Sequence, residues 1–185
     1  MQLLKLSIFI IFILSITSFE KVKCIDDDDQ ILWKSERKLV WDDFKGIADT
    51  SMINVDAITS CKIEVTDAYF ENDIPKYKLS CYFIKSKSWT ITNDKEVLEH
   101  EQLHFDISEI FARKIRKAFD SLNLKKCVDT NKYEELYKRL GNESEIYQVK
   151  YDNTVYFSDI QQKKWSIKVN AELERLKKYA YKPNE

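Results

Sequence analysis

Glycine and proline are scarce in this chain: its 185 residues include two of each. Gly46 and Gly141 are too few and too far apart to build a glycine-rich phosphate loop or a dinucleotide-binding turn. The same scarcity argues against a collagen-like chain, a linker-rich chain or a loop-heavy all-β fold. An excess of either charge is also missing. Thirty Lys and Arg against 31 Asp and Glu leave a formal net charge of -1, without the basic surplus of a general nucleic-acid binder. Apolar side chains, at 44%, and aromatic ones, at 13%, are plentiful enough for a packed core. The length suits one domain.

One long apolar run stands at the start. Met1 to Lys5 carries a single Lys, and Leu6 to Ile16 is almost wholly apolar. A short basic region followed by an apolar stretch of this length reads as a secretory signal peptide. It is shorter than the roughly 20 residues of a spanning helix. Residues 1–24 are therefore expected to be removed, with cleavage between Thr17 and Cys24. An acidic leader, 25–37, follows and contains the run Asp26 to Asp29. A single domain is expected over 38–180, secreted or extracytoplasmic, with no second apolar run to hold it in a membrane.

The domain reads as α+β. Lys38 to Trp41 suggests a first strand. Val55 to Ala68 and Tyr77 to Lys85 alternate well enough for a hairpin turning at Glu71-Asn72-Asp73, and Ser88 to Thr92 suggests a short further strand. Asn93-Asp94-Lys95-Glu96 offers a helix start, and the apolar period behind it carries a helix from about Asp94 to Leu122. A second helix is expected over Lys132 to Arg139, ending at Leu140-Gly141. A third, over Ile160 to Tyr179, would bury Trp165, Val169, Leu173, Leu176 and Ala180. A small twisted sheet packed on the first helix, with two further helices behind, accommodates all of these.

Export permits disulfides. Pairing Cys61 with Cys81 would also set Ile63 against Leu79 and Val65 against Tyr77, apolar on apolar. Two free buried thiols are the alternative. Cys127 would pair with Cys24 or stay free. Asn142-Glu143-Ser144 is a glycosylation sequon, with Asn142 as acceptor.

The chain has two histidines, and they stand four apart in His100-Glu101-Gln102-Leu103-His104. One helical turn of 3.6 residues sets i and i+4 side by side, so both imidazoles can converge on one metal ion. Glu101 flanks the same face and can serve a water molecule without ligating the metal. This is the H-E-x-x-H pattern of zinc metallopeptidases, in which the histidines hold zinc and the glutamate is general base. Zinc suits imidazole and is redox-inert. A third protein ligand is required. Asp106 lies about 160° round the helix from His104, and Glu109 about 180° from His100, so both read as outer-shell or surface carboxylates. The third ligand is sought downstream, in Asp152, Tyr156 or Asp159, with Glu143 and Glu145 as weaker candidates.

The string Leu98 to Glu109 resembles the signature of a domain-of-unknown-function family described as predicted secreted zinc-dependent proteases, which groups with zincin-like metallopeptidases. Val40-Trp41-Asp42-Asp43-Phe44-Lys45-Gly46, Lys87-Ser88-Trp89 and Tyr151-Asp152-Asn153-Thr154, with Gln162 and Trp165, are similar to the family's flanking features. The resemblance implies a zincin-like fold and a peptide or protein substrate. Trp89 then reads either as part of a strand beside the cleft, able to take an extended peptide by strand addition, or as an ordinary core residue. Where members of that family carry a histidine two positions after the Thr, this chain has Tyr156. A phenol must first lose a proton of pKa about 10 to bind zinc. Two other readings follow: a non-catalytic metal-binding or scaffold protein, and a disulfide-stapled binding module with core histidines.

Overall fold

The computed structural model describes residues 29–49, 51–155 and 158–182. The expected signal peptide, Cys24, Tyr156 and most of the Asp run lie outside them. The protein is α+β. Its strands are β1 (Gln30–Leu32), β2 (Ala57–Ile58), β3 (Cys61–Glu71), β4 (Ile74–Ile84) and β5 (Trp89–Thr90), and its helices α1 (Lys95–Leu124), α2 (Thr130–Val155) and α3 (Asp159–Arg175). One antiparallel sheet has the order β1-β4-β3, and β2 pairs with β5 in a second, two-stranded sheet. Among the described residues no helix is long and apolar enough to cross a membrane.

The sheet begins earlier than the composition suggests. Gln30–Leu32 lies in the expected acidic leader, yet it pairs with Tyr82–Ile84 of β4. Trp33 beyond it is buried, and Asp29 accepts hydrogen bonds from the Ser86 backbone N–H and hydroxyl. Lys38 to Trp41 forms no strand. Leu39 is buried, its N–H donating to Gln102 Oε1, and a 3-10 turn follows at Trp41–Asp43.

The hairpin of β3 and β4 turns on Asn72 and Asp73, both at positive φ (50° and 63°). Two central residues of that hand give the turn whose twist matches the flanking strands, and Asn and Asp tolerate it. The register corrects the cysteine pairing. Cys61 stands opposite Phe83, and Ile63 opposite Cys81. Centring the turn on Asn72-Asp73 moves the register by three residues, and an irregularity between Val65 and Asp67 returns one. The two thiols are thus diagonal neighbours, typically ~7–8 Å apart at Cα, beyond the usual span of a disulfide. Cys61, Cys81 and Cys127 are all free.

Helix α1 is the spine. Asp94 caps it, accepting from the Glu96 N–H at 2.7 Å. Every residue from Phe105 to Arg113 is buried, because β3 and β4 cover one side while α2 and α3 cover others. Two apolar clusters result. One joins Phe83, Phe105, Phe111, Tyr151, Trp165 and Val169; the other joins Leu79, Ile115, Phe119, Tyr133 and Leu140. Helix α3 buries Trp165, Val169 and Leu173 as its period requires, but it ends at Arg175 and a 3-10 turn completes the segment.

Helix α2 is much longer than its sequence suggests and runs straight through Gly141. The apolar face of Tyr133, Leu140, Tyr151 and Val155 carries the helix past its weakest residue. A Cβ at Gly141 would meet nothing within 4 Å, whereas one at Gly46 would fall 2.8 Å from the Ser88 carbonyl oxygen. The same substitution should therefore act in opposite directions. Gly141→Ala should raise stability by about 0.5–1 kcal/mol, some 1–4 °C in Tm. Gly46→Ala should lower it by about 1–3 kcal/mol. Thermal unfolding followed by circular dichroism checks both.

Candidate metal centre

The first cleft-facing residues of α1 recur at helical spacing: Val97, His100, Glu101, His104 and Ser108. Glu145, Gln148, Asp152 and Val155 repeat at three- and four-residue intervals along α2 and form the facing stripe. His100 Nε2 and His104 Nε2 come within 3.0 Å of each other. Asp152 Oδ1 lies 2.8 Å from His104 Nε2 and 3.3 Å from His100 Nε2. Buried Tyr151 stacks on the His100 ring at 4.7 Å, and its hydroxyl donates to Gln162 Oε1 of α3 at 2.7 Å. All three helices thus hold the two imidazoles in place.

Gln148 decides how His104 is protonated. The His104 carbonyl can only accept, so Gln148 Nε2 donates to it, at 3.0 Å. The amide oxygen then faces His104 Nδ1 at 2.7 Å, and that nitrogen must carry a hydrogen. In the neutral ring this leaves the Nε2 lone pair aimed at Asp152 and His100. An imidazole lone pair and a carboxylate oxygen do not sit 2.8 Å apart unless a cation lies between them. A proton is one such cation. Burial pushes the His104 imidazolium down, but the Asp152 hydrogen bond and the negative charges of Glu101 and Asp152 raise it above its ordinary 6.5 overall. Burial likewise opposes ionisation of Asp152, yet its hydrogen bonds with His100 and His104 hold the carboxyl well below the usual range.

A metal ion is the other cation. Four ligands at about 2.0–2.1 Å in a tetrahedron stand roughly 3.3–3.4 Å from one another. The three donor atoms here make a triangle of 2.8, 3.0 and 3.3 Å, slightly contracted from that figure. His100, His104 and Asp152 are the group of metal-ligating side chains that converges among the described residues. Two imidazoles and one carboxylate suit zinc and neighbouring transition metals. A Gln amide on the far nitrogen of a ligating histidine is the kind of outer partner that fixes ring orientation.

Beside this group a cleft of about 800 Å³ is walled by residues 52–59, α1, α2 and the start of α3. Glu101 lines it at 4% exposure, and its Oε2 is buried with no hydrogen-bond partner. An orphaned carboxylate oxygen is costly unless something in the cleft completes it. Cys61 also lines the cleft. Burial pushes its thiol to about 12, with Ser108 pulling the other way and the Glu101 and Asp106 charges adding to the rise. It lies outside the converging group of His100, His104 and Asp152.

Of the downstream candidates, Asp152 joins the histidines. Asp159 reaches the cleft rim, outside the donor group, and Glu145 lies on the α2 wall. Glu143 turns away to pair with Arg139. Tyr156 is outside the described residues. Asp106 and Glu109 are not surface carboxylates: both are buried behind the histidines. Asp106 accepts from Trp33 Nε1 and Gln102 Nε2, and Glu109 pairs with Arg113 and Arg116. Trp89 is buried, and β2, not its strand β5, borders the cleft. Asn142 is exposed on α2. The role of Gln148 escaped sequence reasoning, although the 145-148-152-155 spacing marks it as a companion of Asp152. No protein-family model, curated protein or solved structure matches this chain.

Titration with zinc should give one equivalent bound, lost in His104→Ala and in Asp152→Ala. Gln148→Ala should keep the stoichiometry and weaken affinity about 10–100-fold. Equal affinity in that variant would remove the tautomer argument. The metal-free protein should show a distinct pH dependence. The raised His104 value contributes stability that is present below 6.5 and fades as pH climbs through the folded value. The lowered Asp152 value contributes stability that is present above 3.8 and fades in acid. Urea unfolding should therefore show this contribution in full between those limits, and Asp152→Asn should flatten it. Metal affinity should fall on acidification, since the proton and the metal claim the same Nε2.

Proposed function

We propose that this chain is a zinc-dependent peptidase with a zincin-like arrangement, exported from the cell. The observation that carries the reading is Glu101, buried in the cleft wall with its Oε2 unpartnered, beside a converging His100–His104–Asp152 group. The resemblance to predicted secreted zinc-dependent proteases supports the same assignment. Zinc held by the three side chains supplies, when bound, a Lewis acid that acidifies water and polarises a carbonyl. The Glu101 carboxylate takes a proton from the attacking water and returns it to the departing amine, so no proton is lost overall. Gln148 keeps the His104 hydrogen on Nδ1, and Tyr151 keeps the His100 ring in plane.

The substrate backbone has a natural seat on β2. One edge of Ala57–Ile58 pairs with β5, and no strand among the described residues covers the other. Residues 55–59 border the cleft, so an extended peptide can add there as a further strand. A second reading, a non-catalytic scaffold protein, is favoured by one feature: a proton in place of a metal also satisfies the His104–Asp152 contact.

Glu101→Gln separates the two. The peptidase reading expects hydrolysis of an unfolded protein substrate to fall about 100- to 10,000-fold while one zinc remains bound. Residual activity equal to wild type, or no hydrolysis by the zinc-loaded wild type across broad peptide mixtures, would refute it.

A further inference from the structure

The charge of the cleft points to a substrate class. Besides Glu101 and Asp152, its walls carry Asp56, Glu96, Glu145 and Asp159, and among the described residues no Lys or Arg lines it. Acids elsewhere on the same helices are neutralised. On α1, Glu99 pairs with Lys95; on α2, Glu143 pairs with Arg139 and Glu134 with Lys138. Asp56, Glu96, Glu145 and Asp159 make no ion pair among the described residues. The segregation is therefore local to the cleft and not a property of a chain whose net charge is -1.

These four carboxylates do not form a second metal site, because the converging metal-ligating group among the described residues is His100, His104 and Asp152. A divalent ion there is offset by Asp152 and Glu101, which leaves the four rim acids uncompensated. They are spread over every wall: Asp56 beside β2, Glu96 in the first turn of α1, Glu145 on α2 and Asp159 at the start of α3. A spread of like charges along a concave wall attracts a partner with several separated positive charges. Between them lie Met52, Val55, Ile58, Val97 and Val155, apolar side chains that would cover long aliphatic stems. Glu101 lines the same cleft, buried and with its Oε2 unpartnered.

We infer that the cleft selects extended peptide segments carrying lysine or arginine on both sides of the bond presented to Glu101. For cleavage this rests on the peptidase reading; for binding it does not. Two measurements on the full zinc-loaded chain test it. The first is fluorescence anisotropy of two labelled dodecapeptides, one Lys/Ala and one Glu/Ala, against Glu101→Gln protein. The Lys peptide should bind at least tenfold more tightly at low salt, and most of that margin should vanish at 0.5 M NaCl, where the Debye length is only a few ångström. Replacing Glu145 with Gln together with Asp159→Asn should cut the margin about three- to tenfold. Glu143→Gln, the same charge change on the outer face of α2, should leave it unchanged. The second maps cleavage sites of the wild type in a proteome-derived peptide mixture by mass spectrometry. Lys and Arg should be enriched within a few residues of the cut, and the double variant should reduce that enrichment.

Equal binding of the two peptides overturns the inference, as does a preference that Glu143→Gln lowers as much as the double variant. Selective binding without any cleavage by the wild type would remove the peptidase reading and leave the selection for basic segments standing.

Discussion

A helix buried through its middle must satisfy the polar groups that it carries there, and α1 carries many. Every residue from Phe105 to Arg113 is buried, yet that stretch holds Asp106, Ser108, Glu109 and Arg113. Each finds a partner. Asp106 takes the Trp33 indole and the Gln102 amide; Glu109 takes Arg113 and Arg116; Ser108 Oγ bonds to the His104 carbonyl. Buried charges left unpaired would cost several kcal/mol each, so the N-terminal segment, the sheet and α3 all dock where those partners are needed. Arg113 reaches the Leu173 carbonyl, and Arg116 reaches the carbonyls of Leu79 and Tyr179. The chain folds around α1 because α1 cannot be left bare.

That constraint divides the helix into two polar faces with different fates. The rear face, with Gln102, Asp106 and Glu109, is closed by protein groups. The front face, with His100, Glu101 and His104, is closed only in part. Asp152 and Gln148 meet the histidines, but one carboxylate oxygen of Glu101, Oε2, has no hydrogen-bond partner. The difference between a satisfied network and an unsatisfied one within a few residues separates scaffold from site. Tyr151 and Gln148 of α2 pack on and bond the histidines, and Gln162 of α3 bonds Tyr151 in turn, so the groups around the donors come from helices.

Much of this was legible in the residues. The i, i+4 histidines, the helix start near Asp94 and the apolar period of α3 follow from local chemistry, and local chemistry places them correctly. Asp152 was one of three downstream candidates, because spacing along a chain says nothing about which face of α2 meets α1. The length of α2 was hidden by Gly141, whose weak helix preference is overridden by packing on both sides of it. The register of the hairpin was off by two, since neither the turn centre nor the bulge near Thr66 leaves a strong mark in the sequence. That error carried the disulfide with it. The first strand was missed because three residues beside an acidic run have too little pattern to read.

The long hairpin has a consequence for the molecule in company. Strand β3 is the outer strand of its sheet for eleven residues, and Phe70 near its tip is 67% exposed. A bare edge of that length invites edge-to-edge contact between copies. Three features resist it. The bulge near Thr66 bends the ladder, and Lys62, Glu64, Asp67 and Glu71 put charge along the strand. Ion pairs of Lys78 with Asp67 and Lys76 with Glu71 tie the far end to its own partner. Because two of those guards are ionic, salt weakens them while the bulge remains, so the separation of neighbouring molecules depends on ionic strength.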